Sequence, residues 1–456
     1  MLIPVIGLEV HIELATKSKM FCGCKNAAFG SEPNTLTCPT CLGLPGALPV
    51  PNKAALESTM LLGLALGSTI NEDSFFERKN YFYPDLPKGY QISQYQEPLC
   101  VGGQLLVGVT GFRVKPGMTD DSNVRTIRIN RIHQEEDTGK LMHDGDKTLV
   151  DFNRSGVPLT ELVTEADFKS AAEAKAFLKE LARIIRYLGI SEADMEKGSM
   201  RLEANISVQE AGSFKAENAR LTSLVGSKLN PKVEVKNINS FRFVEKAIEY
   251  EIKRQTELIE SGQTLVQETR GYSEKTGETY VQRSKEDAHD YRYFPEPDIP
   301  PFHFDEAFVS GVKKRLVELP RQKMDRWEKF GVKGADSEII ADDQKLADLF
   351  DAVILQFKDA KAVANLLVNK PEWQAKSATE IVAFLNSAST KINLSDVEVT
   401  ELCQKVIIDN PKAVDDYKKG KEAGLKFLVG QVMRLSKGAS DVTVVTERLM
   451  SIVNTS

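Results

Sequence analysis

The sequence has 456 residues, of which 41% are hydrophobic and 27% charged, and a formal net charge of −6. These values are ordinary for folded globular proteins, and the length predicts two or three domains. The negative net charge excludes a global basic field, so any nucleic-acid binding would need a local basic patch. We find no apolar run of about 18 residues that could span a membrane. We also find no secretory signal or transit peptide, and therefore expect a cytoplasmic protein.

Apolar and ionisable residues alternate in residues 6–14, "IGLEVHIEL", which predicts a half-buried β-strand. Glu9, His11 and Glu13 share the polar side of this strand. Either that side is only solvated, or its carboxylates and imidazole bind a metal ion.

Four of the six cysteines follow, at Cys22, Cys24, Cys38 and Cys41. Two pairs of thiolates in a stretch rich in turns, residues 22–41, predict a closed tetrahedral zinc site that stabilises a loop. Four unrelated reduced cysteines are the alternative.

Basic and aromatic residues are interleaved in residues 78–95, "RKNYFYPDLPKGYQISQY", which contain Lys79, Tyr81 and Lys88. Cations beside aromatic rings suit a ligand with a base and phosphates, such as ATP or a single-stranded RNA end. An aromatic hairpin that packs on the core is the alternative. The sequence has no P-loop and no G-x-G-x-x-G motif, so bound ATP would need other phosphate contacts.

Carboxylates crowd residues 131–140, "RIHQEEDTGK", and 151–162, "DFNRSGVPLTEL". Oxygen ligands from several segments are what Mg²⁺ prefers, whereas solvated acidic loops are the common alternative. The segment 290–298, "DYRYFPEPD", is either a rigid loop that faces a substrate or a proline-stiffened linker.

The later elements favour an α+β domain over residues 1–303, with a mixed, largely antiparallel sheet. A helix is predicted between a capping box at Ser170 and Glu173 and a stop at Gly189, and a second one over residues 240–261. Strands are predicted at residues 200–208 and 232–238. All-α domains are predicted at 304–390 and 391–456. Their helix starts include the pairs Ser377/Glu380, Ser395/Glu398 and Asn410/Pro411.

Six segments, in this order, closely resemble the GatB family, the B subunits of aspartyl/glutamyl-tRNA amidotransferases. They are "VIGLEVHIEL", "RKNYFYPDLPKGYQISQY", "HQEEDTGK", "DFNRSGVPLTEL", "EVKNINS" and "DYRYFPEPD". Residues 413–438 are similar to the tail domain of the same family. The resemblance implies that ATP phosphorylates the side-chain carboxylate of Glu-tRNA(Gln), Asp-tRNA(Asn) or both, and that ammonia then displaces the phosphate. It also implies a heterotrimer with a GatA-type amidase subunit, which supplies the ammonia, and a small GatC-type subunit.

The resemblance further implies a magnesium site, with structural zinc at the cysteines. The implied Mg²⁺ ligands are Glu9, His11, Glu136, Glu161 and Glu234. Charge and motif membership add candidates for contacts with ATP or the acyl group, namely Lys79, Lys88, Arg154, Lys236, Tyr81 and Asn237. A structural ion pair is the alternative for each basic residue. In the tail, tRNA phosphate contacts are predicted at Lys418, Lys419, Lys421 and Lys426, with a solvated helix face as the alternative.

Two other functions compete with this hypothesis. The first is a zinc-stabilised scaffold that binds tRNA without catalysing a reaction; such a scaffold gains nothing from gathered carboxylates. The second, an aminoacyl-tRNA synthetase, needs an adenylate-forming motif that we do not find in the sequence.

Overall fold

The structure is a computed structural model, and it describes residues 1–108, 124–217, 220–224, 229–284, 291–389, 395–436 and 440–455. Contacts divide the chain into two compact units, Met1–Lys329 and Phe330–Ser456.

The first unit contains nineteen strands in the described part of the chain. They are β1 (Leu2–Glu13), β2 (Thr69–Ile70), β3 (Asp73–Ser74), β4 (Glu77–Asn80), β5 (Tyr90–Ser93), β6 (Cys100–Val101), β7 (Gln104–Gly108), β8 (Val124–Glu136), β9 (Lys140–Asp144), β10 (Lys147–Asp151), β11 (Pro158–Thr164), β12 (Met200–Glu210), β13 (Phe214–Glu217), β14 (Arg220–Ser223), β15 (Val233–Lys236), β16 (Glu268–Ser273), β17 (Glu278–Ser284), β18 (Phe294–Pro295) and β19 (Phe302–His303).

Helices are distributed over both units. The first unit has α1 (Lys53–Ala65), α2 (Ala171–Tyr187), α3 (Phe241–Glu260), α4 (Glu306–Lys313) and α5 (Pro320–Lys329). The second has α6 (Gly334–Asp342), α7 (Gln344–Ile354), α8 (Ala360–Asn369), α9 (Ala378–Ser389), α10 (Asp396–Asp409), α11 (Pro411–Lys418), α12 (Glu422–Leu435) and α13 (Val442–Thr455). No helix in the described ranges is both long and apolar enough to cross a membrane.

Ten strands form the main sheet, in the order β17-β16-β15-β12-β1-β11-β8-β6-β2, with β7 also paired to β8. Among the described strands of this sheet, only β15 and β16 run parallel. The predicted α+β fold with a mixed, largely antiparallel sheet is therefore confirmed.

One face of this sheet is apolar and packs against helices. Leu8, Val10 and Ile12 of β1 are at most 1% exposed. They belong to one hydrophobic core with buried residues of α1, α2 and α3. Because side chains alternate along a strand, the ionisable residues of β1 must lie on the opposite face.

Both helices predicted in this unit are confirmed. The Ser170 hydroxyl accepts a hydrogen bond from the Glu173 amide at 3.2 Å and so caps α2. In a complete capping box the Glu173 carboxylate would accept a hydrogen bond from the Ser170 amide, but here it accepts one from the Lys169 amide. Gly189, with φ of +66°, lies just beyond the end of α2, as predicted.

The second unit is helical in its described residues. The capping boxes at Ser377/Glu380 and Ser395/Glu398 are confirmed. Pro411 occupies the first turn of α11, but Asn410 is not a side-chain cap, because its amide donates to the Val406 carbonyl. Buried apolar residues of α10, α12 and α13 form a core of their own.

The boundary between the two compact units, after Lys329, differs from the domain boundary predicted at residue 303. Helices α4 and α5 belong to the first unit, which ends at Lys329. The second predicted boundary, at residues 390 and 391, falls on residues outside the described ranges.

We expect Leu181→Ala to destabilise the first unit by about 2–5 kcal/mol, because Leu181 of α2 is fully buried against the sheet. The measurement is the urea concentration at the unfolding midpoint. Lys179→Ala on the exposed face of the same helix is the control, with an expected change within about 0.5 kcal/mol. Equal effects of both substitutions would contradict this packing.

Candidate active site

The polar face of the main sheet collects ionisable side chains from neighbouring strands. In the register, His11 of β1 lies opposite Glu161 of β11, and Glu161 lies opposite His133 of β8. On the other side of β1, Glu9 lies opposite Glu203 of β12. Directly opposed residues of antiparallel strands point to the same side of a sheet. Residues far apart in the sequence therefore meet on this face.

The first cluster consists of His11, Glu135 and Glu161. The His11 Nε2 atom lies 3.3 Å from Glu161 Oε2 and 3.6 Å from Glu135 Oε1. The buried His133 Nε2 lies 3.5 Å from the same Glu161 oxygen. One nitrogen and two carboxylate oxygens of the cluster lie within 4.8 Å of one another, which is close enough to bind one cation.

Burial and mutual charge shift the pKa values in this cluster. Burial opposes protonation of His11, but the hydrogen bond to Glu161 and the charge of Glu135 raise its pKa to about 9. Burial lowers the pKa of His133 to about 4. Burial together with the charge of Glu161 raises the pKa of Glu135 to about 7. Without a bound metal ion, His11 is therefore charged and His133 neutral at neutral pH, and a cation that bound His11 would have to displace its proton.

The second cluster consists of Glu9, Glu203 and Glu234, whose ligand oxygens also lie within 4.8 Å of one another. Lys236 Nζ lies 2.8 Å from Glu203 Oε1 and 3.6 Å from Glu234 Oε2. The Thr269 hydroxyl donates to Glu234 at 2.9 Å. Burial and the neighbouring Glu203 raise the pKa of Glu234, although Lys236 offsets part of this effect.

A cavity of about 320 Å³ joins the two clusters. Five of the predicted site residues line it: His11, Lys79, Tyr81, Lys236 and Asn237. Glu135 and Glu203 line it as well. Carboxylate oxygens on two sides of a polar cavity fit Mg²⁺, which binds hard oxygen ligands and retains positions for phosphate. Of the predicted Mg²⁺ ligands, the structure thus brings His11 together with Glu161, and Glu9 together with Glu234.

Glu136 and Lys88 lie elsewhere. Glu136 pairs with Lys88 and accepts a hydrogen bond from the Ile92 amide at 3.0 Å. Both line a second cavity of about 210 Å³, beside the cysteine loop. The physical reason is strand alternation, because Glu135 and Glu136 are adjacent in β8 and must face opposite sides. The polar face therefore receives Glu135, and the predicted set does not converge at Glu136.

The other predicted cations differ in how they are held. Arg154 donates to the carbonyls of Thr138 and Gly139, and its Nε lies 3.4 Å from Asp137, so its contacts support a turn. Lys79 has no hydrogen bond or ion pair among the described residues. Burial acts against its charge, but Glu135 and Glu161 raise its pKa above the ordinary value. Its ammonium is thus charged and available to a ligand.

The four predicted zinc ligands converge. The sulfur atoms of the four cysteines all lie within 4.8 Å of one another; the residues are Cys22, Cys24, Cys38 and Cys41. Lys19, only 1% exposed, places its ammonium 3.7 Å from the Cys41 sulfur, where it offsets thiolate charge. Four soft sulfur donors with a buried compensating cation fit a structural zinc ion.

The segment after residue 290 is fastened to β4. Arg78 makes two hydrogen bonds to the buried Glu296 carboxylate, at 2.7 and 2.8 Å. Asn80 donates to the Tyr291 carbonyl through its backbone and to the Arg292 carbonyl through its side chain. These contacts favour the rigid-loop interpretation of this segment over the linker interpretation.

Sequence reasoning did not select Glu135, Glu203, His133 or Lys19 as site residues. Strand alternation was the available signal for Glu203, which shares the polar side of its strand with Arg201 and Asn205. The same signal distinguishes Glu135 from Glu136 once His133 is assigned to the polar face. The sequence contains no comparable signal for Lys19.

These observations define an α+β protein with a carboxylate-lined cavity on a sheet face, a four-cysteine loop and a helical C-terminal unit. Residues 4–310 match the family described as the GatB/GatE catalytic domain, and residues 341–453 match the GatB domain. The chain belongs to the GatB family.

Full-length relatives support this assignment. The chain is 42% identical to the B subunit of the aspartyl/glutamyl-tRNA(Asn/Gln) amidotransferase of Thermodesulfovibrio yellowstonii, over 98% of each chain. It is 42% identical to the protein of the same name from Thermoanaerobacter sp., over 96% of each chain. It is 40% identical to the protein of the same name from Persephonella marina, over 99% of each chain.

We expect the purified chain to contain one zinc ion and Cys38→Ser to lose it, because three thiolates leave the tetrahedral site incomplete. The measurement is metal content by mass spectrometry after dialysis. Cys403→Ala, in the separate core of the second unit, is the control and should retain zinc. Equal zinc content in Cys38→Ser and the parent would overturn the assignment.

We expect Glu161→Gln to lower the pKa of His11 from about 9, because it removes the partner that favours the charged imidazole. Histidine-ring NMR in metal-free buffer measures this pKa. Since the pKa is raised above the ordinary 6.5, His11 stabilises the fold fully below pH 6.5 and loses this contribution as pH rises through about 9. An unchanged His11 titration in Glu161→Gln would contradict the cluster geometry.

Proposed function

We propose that this chain is the catalytic B subunit of a tRNA-dependent amidotransferase. Its substrates would be ATP and the mischarged Glu-tRNA(Gln), Asp-tRNA(Asn) or both. The observation that carries the proposal is the cavity on the polar sheet face, where two carboxylate clusters meet Lys79 and Lys236. The names of the relatives support the same function.

In the first step, a side-chain carboxylate oxygen of the aminoacyl group attacks the γ-phosphorus of ATP. The bond from that phosphorus to ADP breaks, and an acyl phosphate forms. Lys79 and Lys236 would neutralise phosphate oxygens, while the carboxylates and His11 hold the metal. Bound Mg²⁺ would neutralise negative charge on the phosphate groups.

In the second step, the nitrogen of ammonia attacks the acyl carbon, phosphate leaves, and the nitrogen loses a proton. The result is a C–N bond, the chemistry of a ligase. A GatA-type partner would supply the ammonia by hydrolysing glutamine, and a small GatC-type subunit would complete the heterotrimer. The exposed tail lysines, including Lys418 and Lys419, would contact tRNA phosphates.

The test is phosphate release from γ-labelled ATP by the reconstituted heterotrimer with Mg²⁺ and ammonium chloride. We expect release with Glu-tRNA(Gln), but not with Gln-tRNA(Gln) or without tRNA. Glu161→Gln should reduce release about 100-fold or more, because it removes charge from the first cluster. Glu257→Gln, on the exposed side of α3, is the matched control and should not change the rate.

Neighbouring glutamates sharpen the test. Glu135 faces the cavity and Glu136 does not, so Glu135→Gln should raise the Mg²⁺ concentration for half-maximal release more than Glu136→Gln does. A larger increase in Glu136→Gln than in Glu135→Gln would indicate that Glu136 binds the metal. If the rate of phosphate release depended neither on the charging state of the tRNA nor on the Glu161 substitution, the chain would instead be a non-catalytic tRNA-binding scaffold.

A further inference from the structure

Four tyrosines from three segments form a continuous row that begins in the wall of the active-site cavity. In order they are Tyr81, Tyr291, Tyr293 and Tyr95, and neighbouring ring centroids lie 5.9, 6.2 and 4.7 Å apart. Tyr81 lines the cavity, while Tyr291 is 37% and Tyr95 46% exposed. We call these four residues the tyrosine row.

The exposed tyrosine rings are not needed to hold their segment in place. The segment that carries Tyr291 and Tyr293 is held by the Asn80 hydrogen bonds and the Arg78–Glu296 pair. In the described ranges, none of the four tyrosine hydroxyls makes a hydrogen bond. The row is thus preformed by other contacts and keeps aromatic surface exposed to a ligand.

Two cations accompany the row. Lys79 Nζ lies 5.0 Å from the Tyr291 ring centroid, and the Arg131 guanidinium carbon lies 5.8 Å from the Tyr95 centroid. Within the part of the chain that the structure describes, the buried Arg131 Nε has no hydrogen-bond partner. Successive aromatic rings with adjacent cations are typical of surfaces that bind single-stranded nucleic acid, where bases stack and cations neutralise the backbone.

We propose that the tyrosine row binds the unpaired bases at the 3′ end of the tRNA by stacking. This inference rests on the proposed function, because the aminoacyl group at that end must enter the cavity and the preceding bases must then lie near its rim. A row of four rings is longer than one base, which favours consecutive nucleotides over the single adenine of ATP. Arg131, beside Tyr95 at the outer end of the row, would pair with a phosphate between the stacked bases.

The experiment uses the heterotrimer with Tyr95→Leu and Tyr293→Leu, each beside the corresponding Phe variant, which keeps the ring. Each Leu variant should raise the KM for Glu-tRNA(Gln) roughly tenfold, the scale of one lost base stack, with the KM for ATP unchanged. The Phe variants should restore the parent KM. Tyr280→Leu, 47% exposed on β17, is the control for loss of a surface tyrosine.

A direct binding arm separates this inference from the proposed function. Quenching of 2-aminopurine at the tRNA 3′ terminus should decrease in both Leu variants, whether or not the complex releases phosphate. A raised KM for ATP alone would place the adenine of ATP on the row and overturn the inference. Unchanged KM values and unchanged quenching would overturn it as well and make the row a packing feature.

Discussion

The register of β1 between β11 and β12 is the constraint on which the site depends. It places His11 opposite Glu161 and Glu9 opposite Glu203. A shift by one residue would turn these side chains into the hydrophobic core and expose Val10 and its neighbours. The packing of the apolar face against α1, α2 and α3 therefore maintains the arrangement of the polar face. Stability and chemistry rest on the same alternation.

Each carboxylate cluster combines a glutamate whose pKa is raised, Glu135 or Glu234, with one whose pKa is lowered by positive neighbours, Glu161 or Glu203. Burial and mutual repulsion raise the pKa values of Glu135 and Glu234, although His11 and Lys236 offset part of the negative charge. A divalent cation would relieve this repulsion more effectively than a proton, because it interacts with several oxygens at once. This repulsion is the physical reason for the Mg²⁺ site that we propose.

Two peripheral segments are attached to the first unit by specific contacts. The cysteine loop is joined to the turn at Ser155, whose hydroxyl donates to the Cys41 carbonyl at 2.9 Å. At Gly156, with φ of +80°, a side chain would be strained and would approach the Cys41 Cβ. The loop therefore packs closely on the turn that precedes β11. The segment that carries Tyr291 and Tyr293 is attached to β4 in a comparable way.

The sequence by itself determined the α+β class, helices α2 and α3, the capping boxes at Ser377 and Ser395, the strand alternation and the cysteine cluster, because these follow from local periodicity and spacing. Through the resemblance to the GatB family, it also led to five residues of the cavity wall, among them His11, Lys79 and Lys236. Only the tertiary structure decided that Glu135 and not Glu136 faces His11, that Glu203 completes the second cluster, and that Lys19 lies against Cys41. These pairings join residues distant in the chain, and strand register and burial, which determine them, are properties of the assembled sheet.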